Sequence, residues 1–346
     1  MDLWQTLRKT DLPILLYGMG NGADKIINVL TEYGISVCDF FASDGFVRGQ
    51  IFHGKKVLSA SEALAAYPNA IVLLAFGSAR DDVLAAIEKV EQTHTLLIPD
   101  VPVFGSNLFC DAFYEAHKEK FEQARALLAD EHSKQLFDDL INFKLSGKRQ
   151  YLTKTTSLSE VIATCLSPND YRHALDLGAY VGDTAELMLE LFPNIESVCA
   201  FEPDPKTFVK LCRFAQTDSR VRPFQFASLD YTGEVVFAVS GNRNAGIDAP
   251  GKLAPVPCST VDDFLQDAPC DFIKIDVEGA ERPTLIGAQK TLKEKRPDLL
   301  LSLYHRSEDL FDLPLLLHDI NPEYRMYLRR DKGVPAWDIM LAATAK

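Results

Sequence analysis

The stretch DLGAYVGDT, residues 176–184, decides how this chain is read. It follows the apolar run HALDL, which reads as a strand, and leads into DTAELMLELF, whose apolar spacing reads as a helix. Gly178 and Gly182 let the turn's backbone approach a ligand closely, and Asp183-Thr184 supply helix N-terminal capping chemistry. The pattern is DxGxxxGDT. A pyrophosphate turn instead takes the form G-x-G-x-x-G/A, with the anion seated on the helix N-terminus. Asp176 would repel such an anion, so this turn favours a cationic or hydroxyl-bearing ligand, such as the aminoacyl end of S-adenosylmethionine.

Outward from that turn, strand and helix signals alternate to the C-terminus. SVCAFEP, PKTFVKLCRFA, VRPFQFASL, a hairpin at GEVVFAV, CDFIKIDVEG, one helix over ERPTLIGAQKTLKEK, DLLLSLYH, a helix around LPLLLHDI, YRMYLRR and WDIMLAA follow in turn. Seven core strands with interleaved helices, the last two strands a hairpin through RDKGVP, predict an open doubly wound α/β sheet. Ligands of such sheets lie beyond the carboxyl ends of the strands. Glu202 stands at that end of SVCAFEP, 20 residues past Gly182, where a carboxylate accepts both hydrogen bonds of a ribose diol. The first hundred residues alternate in the same way over a shorter length, and 111–145 are charged and purely helical in period. The expected organisation is a smaller Rossmann-like α/β domain over 1–108, a helical connector over 109–150 and the larger α/β domain over 151–346.

Of 346 residues, 36 are basic and 49 acidic, a net charge of −13, which argues against a broad nucleic-acid surface. No apolar run approaches the roughly 18 residues of a membrane span. MDLWQTLRKTDLP has no secretory pattern, so a cytoplasmic location is expected. The seven cysteines (38, 110, 165, 199, 212, 258 and 270) form no CxxC pair and read as free thiols.

Three residues are the catalytic candidates. Asp276 and Glu278 end the strand FIKIDVEG two positions apart, on one face of a strand until the chain turns at Gly279. His305 closes the next strand and has the pKa of a general base. The alternative for the carboxylates is helix capping and an ion pair with Lys274 or Arg282; for His305 it is a structural histidine. A divalent ion on Asp176, Asp276, Glu278 and His305 is conceivable, but their spacing forms no ligand motif, so no metal is expected. Near the N-terminus, GMGNGA fits a dinucleotide turn through Gly18, Gly20 and Ala23, with Asp39 or Asp44 as the acidic partner. That loop keeps open an NAD-linked oxidoreductase, and a non-catalytic nucleotide-binding scaffold is a further alternative. A substrate-side or self-association module, giving a homo-oligomer, is the expected role of this region.

LDLGAYVGDT, AFEPDP, IKIDVEGAE, LSLYH followed by EDL, and MYLRR together resemble the FkbM family of S-adenosylmethionine-dependent methyltransferases, over about Tyr151 to Lys346. KIDVEGAE is the most specific of these motifs. The resemblance implies a seven-stranded class I methyltransferase fold, S-adenosylmethionine as cofactor, and methylation of a hydroxyl on a sugar or sugar-containing small-molecule or glycan acceptor. By position it implies that Asp176, Gly178, Ala179, Tyr180 and Gly182 surround the methionine end, with Asp276 beside them. Glu202 would bind the ribose, and Ala227-Ser228 would flank the adenine. One departure is Arg330, where the resemblance leads one to expect histidine.

Overall fold

The computed structural model describes residues 1–239, 246–247 and 251–345. In the N-terminal part, β1 (Ile14–Tyr17), β2 (Asp39–Ala42), β3 (Leu58–Ser59), β4 (Ile71–Leu74) and β5 (Thr95–Leu97) form a parallel sheet in the order β3-β2-β1-β4-β5. β1 and β4 are buried along their whole length, as apolar runs covered by helices on both faces must be. The turn after β1 is built for packing. A Cβ on Gly18 would lie 2.6 Å from the Phe76 ring, and one on Gly22 would lie 2.8 Å from the Ala75 carbonyl oxygen. Both candidate acidic partners are engaged locally: Asp39 accepts the Tyr67 hydroxyl and Asp44 the Ser61 N–H.

The helical stretch is two helices, Asp111–Leu127 and Glu131–Ser146. Asp130 N-caps the second, accepting the Ser133 N–H at 2.7 Å. Both helices pack on the C-terminal part. The Phe121 ring meets Phe311 edge-on at 4.8 Å, and Ser133 Oγ accepts the Leu328 N–H at 2.9 Å. One buried apolar cluster runs through all three parts, from Leu15 through Phe121 to Leu175, so the helices share a core with what they connect.

The C-terminal part supplies β6 (His173–Leu177), β7 (Ser197–Phe201), β8 (Val221–Phe224), β9 (Ala227–Ser228), β10 (Gly233–Val239), β11 (Lys252–Ser259), β12 (Phe272–Ile275), β13 (Asp298–Ser302), β14 (Arg325–Arg330) and β15 (Ile339–Thr344). Its main sheet, among the described residues, has the order β8-β7-β6-β12-β13-β15-β14. It is parallel from β8 to β13, and β15 is antiparallel to both neighbours. The strand order reverses at β6, so the β6/β12 junction opens a crevice at the carboxyl ends.

Three local expectations are corrected. VRPFQFASL is not one strand: β8 stops at Phe224, and Ala227–Ser228 joins β10 and β11 in a separate three-stranded sheet. The single helix expected over 281–295 breaks into Glu281–Ile286 and Gln289–Glu294, because the chain at Gly287 runs against the Leu229 carbonyl, 2.1 Å from where a Cβ would stand. The helix after β6 is capped by Gly182 at φ +102°, and neither Asp183 nor Thr184 occupies the cap.

At the rim, Arg329 Nη2 donates to Asp130 Oδ2 at 2.7 Å and Nη1 to Ser133 Oγ at 2.8 Å. Partial burial raises the Asp130 pKa, but these bonds outweigh it and hold the carboxyl at about 2. A native pKa below the unfolded one stabilises above pH ~4 and ceases to do so as pH falls to about 2. Asp130→Asn keeps a capping side chain and removes the charge. It should lower stability by roughly 1 kcal/mol at pH 7 in urea unfolding, and the gap to wild type should close towards pH 2. A gap that persists at pH 2 refutes the assignment.

Candidate active site

The register of β12 against β6 sets Lys274 opposite Asp176. Asp176 is fully buried and Lys274 nearly so, with Nζ 3.2 Å from Asp176 Oδ1 and 3.7 Å from Asp276 Oδ2. The same Nζ donates to the Gly178 carbonyl at 2.8 Å. Burial lowers the ammonium's pKa, but Asp176 and Asp276 outweigh it and raise it, so Lys274 is a cation in the folded protein. The turn above is fixed by contact: Gly178 has φ +81°, and a Cβ there would stand 1.8 Å from the Asp276 carbonyl oxygen.

A cavity of about 230 Å³ opens over these strand ends. Gly178 and Tyr180 line one side; Glu202, Ala227 and Ser228 line a second; Asp276, Glu278, Tyr304 and Asp338 line the far end. Gly178 and Ala179 both donate their N–H groups to the Phe201 carbonyl, which turns the loop over the end of β7. Glu202 is 7% exposed and accepts the Asp204 N–H at 2.8 Å. Burial pushes its carboxyl up to about 8, against the pull of the Asp204 N–H. Ser228 Oγ is buried without a hydrogen-bond partner. Asp176 lies beneath the cavity, with Lys274 between it and Asp276, and the Cβ position of Gly182 lies 2.3 Å from the Phe214 ring.

At the far end the chain turns sharply after β12, with Glu278 at φ +54° and Gly279 at +91°. Glu281, 1% exposed, holds this turn by accepting the Val277 N–H at 3.0 Å and the Gly279 N–H at 3.4 Å. His305 sits behind it, fully buried, with Nδ1 2.9 Å from Glu281 Oε1 and Nε2 3.4 Å from Glu278 Oε2 and 3.6 Å from Asp276 Oδ1. Burial lowers the imidazole's pKa, but Glu281, Glu278 and Asp276 outweigh it and raise it well above the usual value. Its ring nitrogens face carboxylates and the residue does not line the cavity, so His305 meets a ligand there only through the carboxylates beside it. Burial raises Glu278, against His305, whereas Lys274 and His305 outweigh burial at Asp276 and lower it. Tyr304 donates its hydroxyl to Asp276 Oδ1 at 3.3 Å.

Sequence reasoning missed Glu281, Tyr304, Asp338 and Phe104. The Phe104 N–H donates to the His305 carbonyl at 2.9 Å, and its ring packs on Gly279 and 5.9 Å from the imidazole. Arg330, the departure noted above, is 1% exposed and donates to the Leu152 and Gly333 carbonyls, tying the sheet edge to residues 149–152.

A doubly wound parallel sheet with a cavity at its switch point defines a Rossmann-like α/β protein. Residues 176–333 match the family model described as Methyltransferase FkbM domain. Over 196 residues it is 27% identical to the 2-O-methyltransferase NoeI of Sinorhizobium fredii (strain NBRC 101917 / NGR234), covering 49% of this chain and 79% of that protein. Its fold is similar to that of the methyltransferase FkbM from Methylobacillus flagellatus KT, with a TM-score of 0.75 at 23% identity over 98% of this chain and 92% of that one. That likeness of fold extends across both halves. Among the described residues no helix is long and apolar enough to cross a membrane.

The buried Lys274–Asp176 pair yields a test. Asp176→Asn or Lys274→Met alone should each cost about 3–5 kcal/mol in denaturant unfolding, by leaving one buried polar group without its partner. The double variant should recover most of that loss. Additive losses would show that the two residues do not act as a pair.

Proposed function

We propose that this protein is an S-adenosylmethionine-dependent O-methyltransferase acting on a hydroxyl of a sugar or sugar-containing acceptor, in the cytoplasm. The observation that carries the cofactor is Glu202, an almost fully buried carboxylate on the cavity wall one strand over from the Gly178 turn. The orphaned Ser228 hydroxyl beside it offers a further polar partner, so the residues present fit an adenosine-bearing ligand. When bound, the cofactor supplies a methyl group already activated on a sulfonium. The carboxylates at the far end suit a cationic centre there. O-methylation is supported by the name of the NoeI relative, a 2-O-methyltransferase.

The chain's own residues then divide the work. Gly178 and Tyr180 shape the methionine end, Glu202 accepts a ribose diol, and Ala227 and Ser228 flank the base. Glu278 lines the cavity and has a pKa raised by burial, which suits it to take the acceptor's hydroxyl proton. Asp276, held ionised by Lys274 and His305, orients the reacting groups. His305 is a positioning residue. The Gly18 loop, closed by Phe76 and Ala75, gives the NAD-linked reading no comparable support.

Calorimetric titration of S-adenosylhomocysteine, with NAD for comparison, tests the cofactor: micromolar binding of the former alone is expected, and binding of NAD alone overturns the reading. Because Glu202 titrates at about 8 and accepts the diol best as a carboxylate, affinity should be flat above pH 8 and fall by up to about tenfold per unit below it. Glu202→Gln should remove that slope, and a flat wild-type profile would count against the ribose contact. With labelled methyl donor and a glycan acceptor fraction, Glu278→Gln should lower kcat by about 10²-fold or more at unchanged cofactor affinity. Equal losses in both would remove Glu278 as the proton acceptor.

A further inference from the structure

The cluster behind the cavity holds more negative charge than its one histidine balances. Asp276, Glu278 and Glu281 all stand within 3.6 Å of the His305 ring nitrogens. Lys274 lies on the Asp276 side only and is bound to Asp176 and the Gly178 carbonyl. The His305 nitrogens face these carboxylates as ion pairs outside hydrogen-bond geometry, and Glu281 Oε2, unlike Oε1, has no hydrogen-bond partner, although both residues are at least 99% buried. Buried polar atoms left without a hydrogen bond lose several kcal/mol of hydration unless another group satisfies them.

We propose that Asp276, Glu281 and His305 form a site for a divalent cation of the Mg²⁺/Mn²⁺ class. One ligand atom from each of the three lies within 4.8 Å of the others. An ion about 2.1 Å from each ligand keeps them within about 4.2 Å of one another, so the three need to close by only a few tenths of an ångström. Two carboxylates give a mainly hard donor set, and the borderline imidazole nitrogen tilts it towards Mn²⁺ and away from Ca²⁺. Asp276 is also part of the cavity wall, so the ion's open positions face the acceptor end, while Phe104 closes the opposite side. There the ion binds the acceptor hydroxyl and lowers its pKa, leaving Glu278 to take the proton. This role rests on the methyl-transfer reading; the existence of the site does not.

The test therefore uses neither cofactor nor acceptor. Mn²⁺ titrated into the full chain and followed by electron paramagnetic resonance should show one saturable site. Glu281→Gln should weaken it at least tenfold, and Glu202→Gln, on another wall, should leave it unchanged. If Glu281→Gln fails to fold, anomalous scattering from wild-type crystals soaked in Mn²⁺ decides, with a peak expected among Asp276, Glu281 and His305. Absence of a saturable site, binding insensitive to Glu281→Gln in a folded variant, or a peak elsewhere overturns the proposal. If S-adenosylhomocysteine binds while Mn²⁺ does not, the methyl-transfer reading stands and the metal site falls.

Discussion

The structure turns on one buried cation. Lys274 reaches across from β12 to Asp176 on β6, to the Gly178 carbonyl and to Asp276, and so fixes the relative height of the two central strands where the sheet's order reverses. Removing an ammonium and a carboxylate from water costs several kcal/mol each, which their attraction repays only with good geometry and further polar partners. Here a backbone carbonyl and a second carboxylate provide those partners. The Gly178 turn and the end of β12 are locked as a consequence, and both form cavity wall.

The N-terminal half completes that locked centre. Lys25, in the helix after the first glycine turn, donates to the Pro102 and Val103 carbonyls, and the next residue, Phe104, covers His305 and Gly279. Ser78 and Val334 exchange backbone hydrogen bonds, and Lys332 pairs with Asp81, which holds the hairpin before Asp338 against the N-terminal sheet. The back of the cluster, His305 and the Gly279 turn, is therefore covered by a residue about 175 to 200 positions earlier in the chain. A fragment beginning at the methyltransferase motifs would expose the ring of His305.

What the sequence made legible is what is local. DLGAYVGDT and FEPD each place their residues through one strand end and one turn, and Gly178, Tyr180, Glu202, Ala227 and Ser228 all reach the cavity. The partner of Asp176 was not legible because it is set by strand register: Lys274 is 98 residues away, and only the β6/β12 pairing brings the two together. His305 reads as a base because an ordinary imidazole titrates near neutrality; the three carboxylates that raise its pKa come from the end of a different strand and the turn after it. Glu281 was visible in the quoted motif KIDVEGAE, and a carboxylate three residues past a positive-φ turn was a signal for its capping role. Phe104 had no local signal, because its function is a contact between halves.

Charge balance links the cavity to the reaction proposed for it. Among the described residues, Asp183, Glu202, Asp276, Glu278 and Asp338 line the cavity, and Lys274 is the cation facing them. The carboxylates of Asp276 and Glu278 face whatever enters the far end, while Lys274 and His305 stand behind them. In a partly enclosed site, where the effective dielectric is well below that of water, such carboxylates attract a cation and disfavour phosphates and other carboxylates. Under the proposed reading the site therefore holds a sulfonium-bearing ligand more tightly than the neutral thioether left after transfer, so the same carboxylates that favour entry also favour product release. A neutral, hydroxyl-rich acceptor meets no repulsion there, whereas a phosphorylated one must keep its phosphate outside the cavity.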